Sequence, residues 1–232
     1  MMVDIYSDGK YLEENPTWHV EDSPWKAKQI KEILTRNNLN LETICEVGCG
    51  AGEILNQLNH NYSSSILYKG FEISPQAYEL CKRIENDNIK FSLKNFLEAD
   101  EEYFDLVMLI DVIEHIEDIY TFLRAIKSKG LYKLFHIPLE ICSVNLIKRS
   151  SLVISRQKYG HIHLFTKELA LELLRSEGYE VIDYIYTPVF EQSINHSILG
   201  KIISIPQKFS WKMNSDFGIR IFGGVSILVL TK

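Results

Sequence analysis

Residues 44–55, ICEVGCGAGEIL, constrain the fold more than any other stretch of the chain. Thr43 to Val47 is a β-branched and apolar run, the pattern of a strand covered on both faces in a parallel sheet. Gly48, Gly50 and Gly52 then alternate through a turn. Glycines there let the backbone take positive φ and approach a ligand that a Cβ would push away. A helix is expected from about Ala51, with Ile54, Leu55 and Leu58 at helical spacing on one side. Strand, glycine loop and helix in that order make a nucleotide cradle of the α/β type.

Charge narrows the nucleotide. The dinucleotide fingerprint G-x-G-x-x-G needs a third glycine where this chain has Glu53. A pyrophosphate would sit between Glu46 and Glu53, whose carboxylates repel it although the helix N-terminus attracts it. A cationic adenosine derivative suits acidic walls.

Further strands follow at regular intervals. Ser65–Ile73 ends in Glu72, twenty residues after Gly52, where an acid can accept both ribose hydroxyls in a bidentate bond. Ile73 would flank the adenine. Ile89–Leu93 is followed by Asn95 and Phe96, and Leu106–Ile110 is a central, doubly covered strand. That last run stops abruptly at Asp111, Glu114 and His115, so polar groups emerge at the carboxyl ends of strands, where open α/β sheets bind ligands.

The E-x-G-x-G-x-G of Glu46 to Gly52 resembles the first motif of class I S-adenosylmethionine-dependent methyltransferases, and F-D-L-V with D-V-I-E-H-I (Phe104–Ile116) resembles their fourth. The resemblance covers residues 24–232. It implies a Rossmann-like seven-stranded, mostly parallel sheet with an antiparallel last strand (Gly223–Leu230) and helices on both faces. It implies S-adenosylmethionine as cofactor, held by Glu46, Gly48, Gly50, Gly52, Glu72, Ile73, Asn95, Phe96, Ile110 and Asp111. Residues 1–40 read as a cap segment with a helix, and 41–232 as the methyltransferase domain with variable lid segments at 139–160 and 191–217. In the cap, Ser23 reads as the helix N-cap before Pro24. Trp18, His19 and Lys26 either touch the ligands or, for Trp18 with Trp25, pack this helix on the sheet.

Methyl transfer from a sulfonium is an in-line displacement that neutralises charge, so holding the two reactants in line is the main task. A hydroxyl nucleophile benefits from a base, and histidine serves near neutral pH. Among His115, His136, His161 and His163, His161 ranks first as base because its segment should face the methyl from the lid side. His115 ranks second. Asp111-Val112-Ile113-Glu114-His115 also resembles the E-x-x-E-H with which ubiquinone-pathway O-methyltransferases and small-RNA 2′-O-methyltransferases bind a divalent cation, with Asp111 in place of the first Glu. Asp111, Glu114 and His115, with His161 or His163, would be the ligands, but E-H is also found in metal-free relatives, and the preferred reading assigns no metal.

Composition supports a small-molecule acceptor. The net charge is −6, and residues 140–232, with 11 Lys+Arg against 8 Asp+Glu, read as a mildly basic solvated surface and not as a nucleic-acid stripe. Cys45, Cys49, Cys81 and Cys142 are scattered without a C-x-x-C pair, so a reduced cytoplasmic protein is expected. No apolar run approaches the length of a membrane span, and no membrane partner is expected. An RNA or protein methyltransferase, a nicotinamide oxidoreductase and a cofactor-binding regulator are the competing readings. The acceptor and the oligomeric state are not legible.

Overall fold

The computed structural model describes residues 18, 20–99, 102–148, 150–189 and 198–232, without the side chains of 198–204. Seven strands form one sheet: β1 (Thr43–Val47), β2 (Leu67–Glu72), β3 (Ile89–Leu93), β4 (Phe104–Ile110), β5 (Gly130–Pro138), β6 (Val181–Pro188) and β7 (Val225–Thr231). Their order is β3-β2-β1-β4-β5-β7-β6. β7 runs antiparallel to both β5 and β6, and the other pairs are parallel, as the sequence predicts.

Burial on two faces follows from residue alternation. In β4, Val107 and Leu109 join one core layer, while Leu106, Met108 and Ile110 join the other. The first layer is closed by helices Ile119–Lys127 and Lys167–Ser176, through Leu123, Ile126, Ala170 and Leu174. The second is closed by Ser23–Arg36 and Glu53–Asn61, through Ile30, Leu34, Leu55 and Leu58. In chain order the helices are α1 (Ser23–Arg36), α2 (Glu53–Asn61), α3 (Pro75–Cys81), α4 (Ile119–Lys127), α5 (Ser143–Ile147), α6 (Ser151–Ile154), α7 (Lys167–Ser176), α8 (Ile198–Met213) and α9 (Ser215–Phe222). A π-helical turn, Ser155–Tyr159, continues α6.

Register brings the ligand-binding motifs together. β1 lies between β2 and β4, with Val47 opposite Phe71 on one side and Leu109 on the other. The glycine loop, Glu72 and Asp111 therefore leave the sheet at the same edge, beside the switch in strand order.

Several local details differ from expectation. α2 starts at Glu53, because Gly52 is its N-cap in the left-handed region at φ 76°. Asp22 takes the N-cap position of α1 without a side-chain capping bond, and Ser23 is already helical. The lid segment 139–160 is α5, α6 and the π turn, and most of 191–217 is α8 and the start of α9. His19, residues 1–17 and residues 190–197 lie outside the described residues.

Candidate active site

A cavity of about 710 Å³ opens over the carboxyl ends of β1, β2, β4 and β5. Its lining includes Glu46, Gly48, Gly50, Glu72, Ile73, Ile110 and Asp111 of the expected cofactor contacts, and both catalytic candidates, His115 and His161. Three expected contacts lie outside it. Gly52 sits behind the loop, where an added Cβ would come within 2.4 Å of the Phe91 ring. Asn95 caps its own turn, accepting from the Leu97 amide at 3.1 Å. Phe96 is buried edge-on against Phe71, with ring centroids 4.9 Å apart, and belongs to the core. A loop Asn and an apolar neighbour satisfy a turn and a core as readily as an adenine, and here they do so.

Glu72 braces the glycine loop from below. Its Oε2 accepts from the Gly50 amide at 2.8 Å, and its Oε1 accepts from the Ile73 and Ser74 amides, each at 2.8 Å. A carboxylate has about four lone-pair sites. Oε1 is therefore saturated, and Oε2 keeps one position for a ribose hydroxyl. Burial pushes the Glu72 carboxyl up, and the three amide bonds oppose that.

Asp111 holds a second network. Its backbone is left-handed at φ 55°, strained for a residue with a Cβ. Oδ2 pairs with Lys26 Nζ at 2.7 Å, and Oδ1 meets His136 Nδ1 at 2.6 Å. His136 Nε2 in turn meets Thr187 Oγ1 at 2.8 Å. Burial alone would raise Asp111, but His136 and Lys26 outweigh it and hold the carboxyl far below the usual range. For Lys26, burial works against the charge and Asp111 overcomes it, so its pKa is raised. With both ring nitrogens occupied, His136 is a brace and not a free base. Glu46 lies nearby with Oε2 buried and unpartnered among the described residues; burial pushes it up to about 8 against the pull of Lys26.

The other half of the cavity is assembled by the stretch after β5. The Glu114 carbonyl accepts from the Ile162 amide at 2.9 Å and the His163 amide at 3.1 Å, which pins 161–163 against the loop after β4. His161 then stands edge-on to His115, ring centroids 4.9 Å apart, and its Nδ1 meets Glu140 Oε2 at 2.8 Å. His115 Nδ1 meets the Gly160 carbonyl at 3.2 Å, and burial, with His161 beside it, lowers its pKa to about 4. His163 bonds the Ile116 carbonyl through Nε2 at 2.8 Å and does not line the cavity. Glu114 is fully buried, neither carboxylate oxygen has a hydrogen-bond partner among the described residues, His115 Nε2 lies 4.0 Å from Oε1, and burial pushes the Glu114 pKa well up. One ligand atom from each of Glu114, His115 and His161 lies within 4.8 Å of the others.

The sequence motifs do not single out Glu140, Thr187 or Tyr159, although Glu140 and Tyr159 line the cavity; Trp25, expected only to pack the cap helix, lines it too. Glu140 and Thr187 were findable: each lies at or just beyond the carboxyl end of its strand, β5 or β6. Lys26 had been singled out, but not as the partner of Asp111.

Residues 18–184 match the family described as methyltransferase domain. The ubiquinone biosynthesis O-methyltransferase of Rickettsia felis is 22% identical over 212 residues, covering 86% of this chain and 80% of that protein. Among solved structures, the plantazolicin methyltransferase BpumL in complex with SAH superposes with a TM-score of 0.65 at 13% identity, covering 100% of this chain and 93% of that one. The magnesium protoporphyrin IX methyltransferase of Synechocystis PCC 6803 with bound SAH gives 0.60 at 12% identity, over 90% and 82% of the two chains. These structures share the fold. With that match spanning most of the chain, and with the glycine loop, Glu72 and the post-β4 acids converging on one cavity, the chain belongs to the methyltransferase domain family and is a class I S-adenosylmethionine-dependent methyltransferase.

Proposed function

We propose that this methyltransferase acts on a hydroxyl of a small molecule, with His161 as the general base. The observation that carries the reading is the His161–Glu140 pair, 2.8 Å apart on the acceptor side of the cavity. A ring that donates Nδ1–H to a carboxylate is fixed in orientation and keeps its basic lone pair on Nε2. As the acceptor oxygen bonds to the methyl carbon, the S–CH3 bond breaks, its electron pair stays on sulfur, and the hydroxyl proton passes to Nε2. Glu140 steadies the imidazolium so formed. The O-methyltransferase relative in Rickettsia felis supports an oxygen acceptor. A cavity of about 710 Å³ that must also admit the cofactor supports a small one.

On the cofactor side, Glu72 Oε2 would take a ribose hydroxyl and Ile73 would flank the adenine. Glu46 and Asp111 would face the cationic methionyl end. Replacing His161 by Ala should lower kcat for acceptor-dependent S-adenosylhomocysteine release by about 10²- to 10⁴-fold, with S-adenosylmethionine affinity unchanged in calorimetry. Full turnover in that variant overturns the assignment.

The orphaned Glu114 carboxylate favours a second reading, in which a divalent cation is held by Glu114, His115 and His161. The donor set fits a cation: one carboxylate without a partner and two imidazoles, one of them with its pKa lowered to about 4 and so neutral at pH 7. Bound there, a cation would act as a Lewis acid that lowers the pKa of the acceptor hydroxyl. Asp111 would not be a ligand, since Lys26 and His136 occupy it. Loss of turnover on chelation, restored by Mg²⁺ or Mn²⁺, supports this reading; insensitivity to chelation rejects it.

A further inference from the structure

Apart from Tyr159 and Gly160 at the cavity, two stretches that the chemistry does not use carry charge opposite to the rest of the chain. Residues 143–160 and 198–222 contain eight Lys and Arg against one acid, Asp216, while the remainder has seventeen basic and thirty acidic residues. Asp216 is itself engaged by Lys167 and Tyr186. The +3 of the whole later part therefore hides a much sharper concentration of charge.

The same stretches present bare apolar side chains. Ile205, Phe209 and Met213 repeat at i, i+4 and i+8 along α8, with Phe209 67% and Met213 73% exposed. Phe217 follows on α9, and Leu146 and Ile147 stand on α5, Ile147 80% exposed. Lys208, Lys212, Lys148, Arg156 and Lys158 are exposed on or directly after the same elements, as is Arg220, which also pairs with Glu168 at 2.6 Å. These helices adjoin one another: Ser143 Oγ bonds the Arg220 carbonyl at 3.2 Å, and a Cβ on Gly218 would come within 2.9 Å of Ser210 Oγ. Exposing such residues on water-facing helices gains nothing for the fold, so the surface calls for a partner that is both apolar and anionic.

We propose that α5, α6, α8 and α9 form a docking face for anionic membranes, with the aliphatic and aromatic side chains entering the acyl boundary and the lysines and arginines meeting lipid phosphates. Leu146, Ile147, Ile205 and Met213 partition into acyl chains and outnumber the exposed rings of Phe209 and Phe217 that could stack a nucleobase, which favours a bilayer over a nucleic acid. Among the described residues no helix is long and apolar enough to cross a membrane, so the contact is peripheral. This departs from the sequence expectation of no membrane partner. The segment that ends in Tyr159 is part of the face and also lines the cavity, so docking would bring the acceptor side to the bilayer.

The test is co-sedimentation of the full chain with vesicles of phosphatidylcholine, with and without phosphatidylglycerol, at low and high salt, with no acceptor present. Its outcome is thus separate from that of the hydroxyl reading. Binding that needs phosphatidylglycerol and weakens with salt is expected. Lys208→Glu with Lys212→Glu should lower partitioning by more than about tenfold. Phe209→Glu with Met213→Glu should do likewise, while melting temperature and S-adenosylmethionine affinity stay at wild type. The proposal is overturned by absence of binding to either vesicle, by binding to an oligonucleotide instead, or by a dimer in light scattering that Phe209→Glu dissolves.

Discussion

The two halves of the cavity differ in how their carboxylates are satisfied. On the cofactor side, Glu72 holds three backbone amides and Asp111 holds Lys26 and His136, so these acids build the site before any ligand arrives. On the acceptor side, Glu114 is as deeply buried and has no hydrogen-bond partner among the described residues, only His115 Nε2 at 4.0 Å. A buried charge persists at low cost only if paired, and otherwise takes up a proton. The opposite pKa directions of Asp111 and Glu114, three residues apart, express that difference. Glu46 also keeps a buried Oε2 without a hydrogen bond among the described residues, so the contrast is between Glu72 and Asp111, which the chain satisfies, and Glu46 and Glu114, which it leaves to a proton or a ligand.

The hardest blow to the prebuilt side is Gly52→Ala. The residue is left-handed at φ 76°, and its Cβ would fall 2.4 Å from the buried Phe91 ring. Backbone strain and overpacking together should cost roughly 4 kcal/mol and abolish S-adenosylmethionine binding, as read by thermal melting and calorimetry. A variant with normal melting and binding would mean that the loop is not held in this shape. Lys26→Met comes next. It leaves Asp111 with His136 alone and should cost about 3 kcal/mol, measured by denaturant unfolding. A neutral effect would mean that Asp111 is solvated and not prebuilt.

What the sequence discloses follows the same division. β1, the glycine loop, Glu72 and β4 are legible because each is local: a two-face apolar run, an alternating glycine turn, an acid at a strand end. The seven-stranded, mostly parallel sheet and its antiparallel β7 come from the resemblance that those segments carry. Asn95 and Phe96 mislead because a turn cap and a core aromatic satisfy the same pattern as an adenine pocket. The acceptor side is illegible for a different reason. Glu140 and His161 meet across 21 positions of sequence, through a backbone clamp on the Glu114 carbonyl that no side-chain pattern announces. The exposed stripe of α8 has helical spacing, but whether it faces the core or solvent is decided by packing.

Glu46 sharpens the comparison with a smaller, graded effect. Its carboxyl is pushed up to about 8, so the free protein holds it protonated at pH 7. The unfolded chain would ionise it near its ordinary value, so this group costs the free protein stability progressively as pH rises from about 4.5 to 8. Binding of a cation that needs the ionised form must expel the proton. Affinity for S-adenosylmethionine should therefore rise by up to about tenfold per pH unit below 8 and level off above it. Calorimetry in buffers of different ionisation enthalpy should register the released proton, and Glu46→Gln should flatten the profile. A profile already flat in the wild type would mean that Glu46 does not face the cofactor's charge.

Glu114→Gln has the smallest expected effect on folding and bears most directly on the contrast. With its pKa well above the ordinary carboxylate value, folded Glu114 stays protonated over a range where the unfolded chain has ionised it, so wild-type stability declines as pH rises above about 4.5. Glutamine removes that decline. The variant should melt close to wild type near pH 5 and gain on it toward neutral pH. A variant that instead melts well below wild type at every pH would mean that Glu114 accepts bonds essential to the fold, and the contrast between the two halves would disappear. Added Mn²⁺ discriminates further. If Glu114, His115 and His161 hold a cation, Mn²⁺ raises the melting temperature of the wild type and not of Glu114→Gln, because only an unpartnered carboxylate adds a charge for the ion to neutralise. Equal shifts in both proteins would place any ion elsewhere and leave His161 to act as base without one.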